Sequence, residues 1–246
     1  MRSARTWFVG GLAVALAVSS LCSAARAEDA PKKAIAPAAK KAAPPALAVT
    51  IEGPVDPALA PVAGDLIKLF YECYPKLLTR FDHPDRPAPR RIRIVFDAKL
   101  DIPAYCAGDT VTVSGKWLRE HPADVGLLTH ELTHAVQAYP SPNPGWLTEG
   151  IADYARNLYG PKEPANGWRL PRLRGEKGYT AGYGATAKFL TWVEGKHPGA
   201  VDKLHRAMQD GKYDPAIWKE VTGQDIDTLW GECLRDQPEK AAPKSR

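Results

Sequence analysis

The chain has 246 residues, 44% of them hydrophobic, and a formal charge of +5. That is enough apolar content for one domain with a sizeable core. Residues 1–27 hold three Arg and no acid, residues 28–48 four Lys against two acids, and residues 239–246 three cations against one acid, which leaves the chain between near −2 and excludes a basic nucleic-acid footprint there.

The first expected segment is a signal peptide over residues 1–27. Arg2 and Arg5 precede an apolar run from Trp7 to Val18, and Ala25-Arg26-Ala27 offers a small-residue cleavage site. The run is short for a membrane span, so no stable membrane insertion is expected after cleavage, and the mature protein is expected to be secreted or periplasmic. Leu21 is bulkier than the residue a lipidation site at Cys22 would want. Residues 28–48 are mostly Ala, Pro and Lys and read as a linker with too few hydrophobic anchors to pack, a spacer or a pro-segment. Residues 49–236 form the expected domain, and 237–246 a polar tail.

Within the domain, Leu66, Leu69, Phe70, Cys73 and Leu77 give Leu59 to Thr79 helical spacing. Ile92, Ile94 and Phe96 alternate, predicting a strand over Arg91 to Ala98, and Asp109 to Ser114 is β-branched and follows a Gly, predicting another. Lys116 to His121 suits a short helix. Asp124 to Ala138 is a longer one, with an apolar stripe of Leu127, Leu128, Leu132, Ala135 and Val136. A loop rich in Pro and Gly then leads to a helix over Trp146 to Tyr159. The nineteen residues Gly160 to Gly178 have little periodicity and carry five cations against two acids. They are expected to rim a cleft; a solvated basic loop is the leading reading of their charge, and a preference for acidic substrate groups the other. Helical segments follow from Tyr183, with further ones at Val201 to Met208, Pro215 to Val221 and Ile226 to Leu234.

Chemistry concentrates in His130-Glu131-Leu132-Thr133-His134. On a helix, residues four apart leave the same face one turn apart, so His130 and His134 can bind one Zn²⁺. Glu131 lies about 100° further round. It cannot share the ligand direction, but it can reach a water whose pKa zinc lowers to roughly 7 and take its proton. A further Gly and His in the metzincin pattern would fall on Gln137 and Pro140, so that variant is excluded. Glu149 is the leading third ligand, with Asp153 one turn beyond it placed to accept the free N–H of a ligand His. The reverse assignment, Asp153 as ligand and Glu149 in support, fits the same spacing. Tyr179 and Tyr183 are the candidates to donate to an oxyanion; a packed ring is the alternative for each. His83, His121, His197 and His205 lack ligand spacing and read as surface or satisfied core residues. Cys73, Cys106 and Cys233 would remain after maturation, and export permits one disulfide among them. Cys73 also suits the core.

The stretches HELTHAVQ, GWLTEGIADYAR and GYGATAKFLTWVE resemble the basic secretory protein family, a group of metallopeptidases of plants and bacteria. The likeness covers about Ile51 to Leu234 and is strongest from Leu127 to Glu194. It implies a gluzincin arrangement: His130, His134 and Glu149 as zinc ligands, Glu131 as base and Asp153 behind a ligand His. Fourteen residues separate His134 from Glu149, so the connection must be tight. It also implies that the strand around Val111 to Ser114 is an edge strand above the cleft; an inner strand is the other reading. Tyr183 falls in the resembling block, which favours it over Tyr179. The chain departs from the family's name in charge.

The combined expectation is an α+β, zincin-like peptidase domain: a small mixed sheet packed on the HExxH helix, plus a helical second lobe. Its expected activity is zinc-dependent hydrolysis of peptide or protein substrates. Two other readings share these residues: a cell-envelope binding protein with a structural metal, and a zinc amidase acting on cell-wall peptides.

Overall fold

The computed structural model describes residues 46–141, 143–161, 167–176 and 178–237. The expected signal peptide, nearly all of the linker and the tail beyond Gln237 lie outside the described residues.

Strand β1 (Ala48–Glu52) is followed by helix α1 (Ala60–Phe81), then β2 (Arg91–Asp97), β3 (Ala104–Ala107), β4 (Thr110–Ser114), α2 (Gly115–Glu120), α3 (Leu127–Gln137) and α4 (Gly145–Tyr159). Four more helices complete the order: α5 (Tyr183–Lys196), α6 (Ala200–Gln209), α7 (Ile217–Thr222) and α8 (Ile226–Arg235). The fold is mixed α and β, with, among the described residues, one four-stranded sheet in the order β1-β2-β4-β3.

β1 pairs parallel to β2, and β2 parallel to β4, with Ile94 opposite Val111. Parallel neighbours need a crossover, which α1 supplies between β1 and β2. β3 pairs antiparallel to β4 across a tight turn at Gly108, whose φ of 62° suits glycine. The sequence reading contained neither β1 nor β3. The strand that includes Val111 to Ser114 is therefore an inner one, buried from Val111 to Ser114, and the outermost strand on that side is β3. This corrects the edge position implied by the resemblance.

The apolar stripe of α1 is buried as its spacing requires, with Leu66, Phe70, Cys73 and Leu77 fully enclosed. α1 packs against α3, and α3 also meets β3 and α4, so the HExxH helix lies between the sheet's edge and the later helices. α4 and α5 share the most extensive helix contact. There Gly150 faces Thr186 so closely that a Cβ on residue 150 would overlap the threonine side chain. α5, α7 and α8 meet around aromatics, Phe189 stacking on Trp218 at 5.7 Å and meeting Trp230 edge to face at 5.4 Å between ring centres. These residues belong to the same continuous core as α1, α3 and the sheet. Cys73, Cys106 and Cys233 are all free thiols, with Cys73 in the core as its spacing suggested.

Candidate metal centre

α3 and α4 bring the sequence-derived residues together. His130 and His134 project from one face of α3, with ring centres 4.8 Å apart. Glu149, in the first half of α4, turns its carboxylate toward both: Oε2 lies 3.1 Å from His130 Nε2 and 3.6 Å from His134 Nε2. One ligand atom from each of the three falls within 4.8 Å of the others. Tetrahedral bonds of about 2.0 Å set ligand atoms about 3.3 Å apart, so the two imidazoles and the carboxylate fit one small divalent cation with modest adjustment.

The remaining ring nitrogens explain why Nε2 faces the centre. His130 Nδ1 lies 2.7 Å from Asp153 Oδ1, and Asp153 is buried. A carboxylate there accepts the Nδ1 proton and leaves the Nε2 lone pair free. Of the two assignments left open by the sequence, this geometry sets Glu149 toward the centre and Asp153 behind His130. His134 is held in the same sense by Gln137, whose Oε1 lies 2.7 Å from His134 Nδ1. Gln137 Nε2 donates to the carbonyl of Thr148 at 2.9 Å, which fixes the amide's orientation. Gln137 thus ties the second imidazole to the residue preceding Glu149. The sequence reading missed it. Its signal was its place one turn after His134, a spacing that puts both on one helix face.

Charge in the site follows from crowding acids around imidazoles. Burial opposes a charge on His130, but its hydrogen bonds to Asp153 and Glu149 outweigh this and raise its pKa to about 9. Burial likewise opposes ionisation of Glu149, and the two imidazoles override it, lowering its pKa to about 2. Glu131 is buried, and desolvation lifts its pKa above the ordinary carboxylate value against the pull of His130 and His134. Three carboxylates around two imidazoles make a strongly cation-attracting pocket.

A cavity of about 890 Å³ opens over these groups. β3 and the residues before it, from Ile102 to Cys106, line it together with Tyr183. Tyr183 begins α5 with a φ of 46°, is 58% exposed, and sets its ring nearly parallel to His130 at 6.0 Å. Tyr179 instead is buried and donates its hydroxyl to Asp227 at 2.6 Å, a packing role. His205 is a satisfied core histidine: Nε2 bonds to the Phe81 carbonyl and Nδ1 to the Tyr139 hydroxyl, both at 2.8 Å. From the long loop after α4, Trp168 lines the cavity. Arg169, Arg172 and Arg174 are exposed and do not line it, while Lys162 and Lys177 lie outside the described residues.

Residues 69–233 match the family described as peptidase of plants and bacteria, the basic secretory proteins. The chain belongs to this family. No curated protein and no solved structure gave a significant match. Membership makes a hydrolase acting on peptides or proteins the frame for the site, and the family's name points to secretion. No helix among the described residues is long and apolar enough to cross a membrane.

Proposed function

We propose that this basic secretory protein is an exported, zinc-dependent metallopeptidase with a zincin-like architecture, its metal held by His130, His134 and Glu149. The observation that carries this reading is the convergence of those three groups in one cavity with a buried carboxylate, Glu131, beside them. The nitrogen and oxygen donor set, with room left in the cavity, is that of catalytic rather than closed structural zinc. Bound there, zinc supplies Lewis acidity toward a carbonyl and lowers the pKa of water to roughly 7.

The chain's own groups do the remaining work. Glu131 takes the proton of the attacking water and passes it to the leaving amine. Burial raises its proton affinity above that of an ordinary carboxylate, which suits a group that takes a proton and then gives it up. Asp153 and Gln137 hold the two imidazoles in one tautomer and orientation. Tyr183 lines the cavity beside His130, and its hydroxyl donates to the oxyanion that forms when the carbonyl is attacked. β3, with one edge unpaired in the sheet, accepts a substrate backbone as an added strand. The Arg2 and Arg5 pattern with its following apolar run supports export.

The test pairs zinc content with hydrolysis of a broad peptide set by the wild type and Glu131→Gln. One zinc per chain in both proteins, with cleavage lost by about 10²-fold or more in the variant, is the expected result. Equal cleavage by both would refute the mechanism, and no zinc in either would refute the site.

A further inference from the structure

A second cavity, of about 450 Å³, lies apart from the metal centre. The C-terminal end of α5, the turn between α7 and α8 and the last turns of α8 enclose it. It shares no lining residue with the metal cavity among the described residues. Trp192 and Lys196 stand nine and thirteen positions after Tyr183 on α5, about 14 Å and about 20 Å along the helix axis.

The side chains around this pocket fix one another. Asp236 Oδ2 accepts from Trp192 Nε1 and from Lys196 Nζ, each at 3.0 Å. Glu232 Oε1 accepts from Gln224 Nε2, also at 3.0 Å. Gly223 ends α7 with a φ of 83°, and the Gln224 amide then donates to Thr222 Oγ1 at 3.2 Å, which sets Gln224 facing α8. Hydrogen-bonding capacity is nevertheless left over. Gln224 Oε1 is buried without a donor, a state that rewards any donor brought to it. Arg235 and His197 have no hydrogen-bonding or ion-pairing partner among the described residues. Each carboxylate also keeps one oxygen outside the bonds named above.

Charge and composition say what would use that capacity. Lys196 and Arg235 balance Glu232 and Asp236, so an anion and a cation would each meet two groups of its own sign. The Gln224 and carboxylate oxygens only accept, while the Arg235 guanidinium only donates, so an occupant must do both. A hydroxyl does both from one atom. The apolar part of the wall is the Trp192 indole, held flat against Phe189 at 6.4 Å and 12°. Lys196, beside that ring, is 56% exposed on a flexible stem and can follow an occupant. A pyranose ring has the matching combination: hydroxyls round its edge and C–H groups on its faces. The volume of the pocket lies within the range of small-molecule sites.

We propose that this pocket binds a neutral sugar unit of a glycan and serves as an anchor separate from the metal centre. Arg235, His197, Glu232 and Gln224 hold its hydroxyls, and Trp192 meets one face of its ring. The proposal does not rest on the hydrolase reading, because the anchor would hold the chain to a carbohydrate whatever reaction the metal centre carries out.

The experiment titrates the intact protein with maltose, cellobiose, chitobiose and galactose, with glucuronate and glucosamine as charged counterparts, read by calorimetry and saturation-transfer NMR. Arg235→Ala and Glu232→Gln are titrated alongside. Arg235 is exposed, and glutamine keeps both the shape of Glu232 and an acceptor for Gln224, so both variants should unfold at the wild-type temperature. At least one neutral sugar should bind with a Kd of about 1 mM or tighter, ahead of both charged ones, and each variant should weaken it by about tenfold. No saturable binding of any neutral sugar up to about 10 mM, equal or tighter binding of glucuronate or glucosamine, or one affinity shared by wild type and both variants would each overturn the assignment.

Discussion

Replacing Gln137 with Leu removes a small part of the site with a calculable effect. Gln137 is 2% exposed and makes two hydrogen bonds, one to His134 Nδ1 and one to the Thr148 carbonyl. Leu fills the space but restores neither. The His134 Nδ1–H loses its acceptor in a half-buried setting, and a buried polar group left unmade costs about 1–3 kcal/mol. The imidazole then no longer holds the Nε2 lone pair on the centre without expense, so the loss falls on metal binding. At 1.4 kcal/mol per tenfold, the expected weakening of zinc affinity is about tenfold to a hundredfold, the range common for groups that orient a ligand His. Competition against a chromophoric chelator at fixed pH reads this directly. Gln137→Glu separates the two bonds, because a carboxylate still accepts from His134 but, ionised, cannot donate to Thr148. It should keep zinc affinity within a few-fold of wild type while unfolding at lower temperature in the metal-free form. Gln137→Leu binding zinc as tightly as wild type would refute the argument.

Three other outcomes are expected. Tyr183→Phe should lower kcat by about tenfold to a thousandfold with KM nearly unchanged; a loss confined to KM would make the hydroxyl a substrate contact instead. Gly150→Ala should destabilise by about 1–3 kcal/mol, because its methyl overlaps Thr186 across the α4–α5 contact; thermal unfolding at the wild-type temperature would show that the helices yield freely. Burial holds the His205 pKa down at about 4, below its ordinary value of 6.5, so the folded state keeps His205 neutral while the unfolded state protonates it. Its contribution is full above pH 6.5 and is lost as pH falls toward 4, about 3 kcal/mol in all. Urea unfolding of the wild type and His205→Gln from pH 7 to pH 4.5 checks this: the variant should show the shallower decline, and parallel declines would contradict it.

The helices and the cluster of candidate metal ligands were legible for one reason, periodicity. The i, i+4 spacing of His130 and His134 carries its own geometry, and Glu149 and Asp153 repeat that spacing on the next helix, so both pairs could be placed before any fold was known. β2 and β4 were legible from alternation and β-branching. β3 was not, because four residues, Ala104 to Ala107, are too few to establish a period and include no β-branched side chain. Its hairpin turn at Gly108-Asp109 was the available signal. The order of strands depends on which crossover packs where, a tertiary matter, so the resemblance put the edge one strand too far in. Gln137 escaped notice because an amide has no ligand chemistry of its own; its role exists only when the Thr148 carbonyl is brought within reach from α4. Among the described residues of the loop after α4, Arg169, Arg172 and Arg174 are exposed while Trp168 lines the cavity, a choice of facing that an aperiodic segment does not encode in its spacing.

The brevity of β3 carries a consequence for recognition. Alternate residues of a strand point their N–H and C=O groups to opposite sides, so a four-residue edge presents only two residues' worth of main chain to a visitor. At about 0.5–1.5 kcal/mol net per hydrogen bond, that rail grips any peptide weakly and all sequences nearly alike. It is too short to template stacking of one copy of the chain on another, a hazard of long flat edges. Under the proposed strand addition, discrimination among peptides falls to side-chain contacts, and a substrate only a few residues long already occupies the whole of the rail.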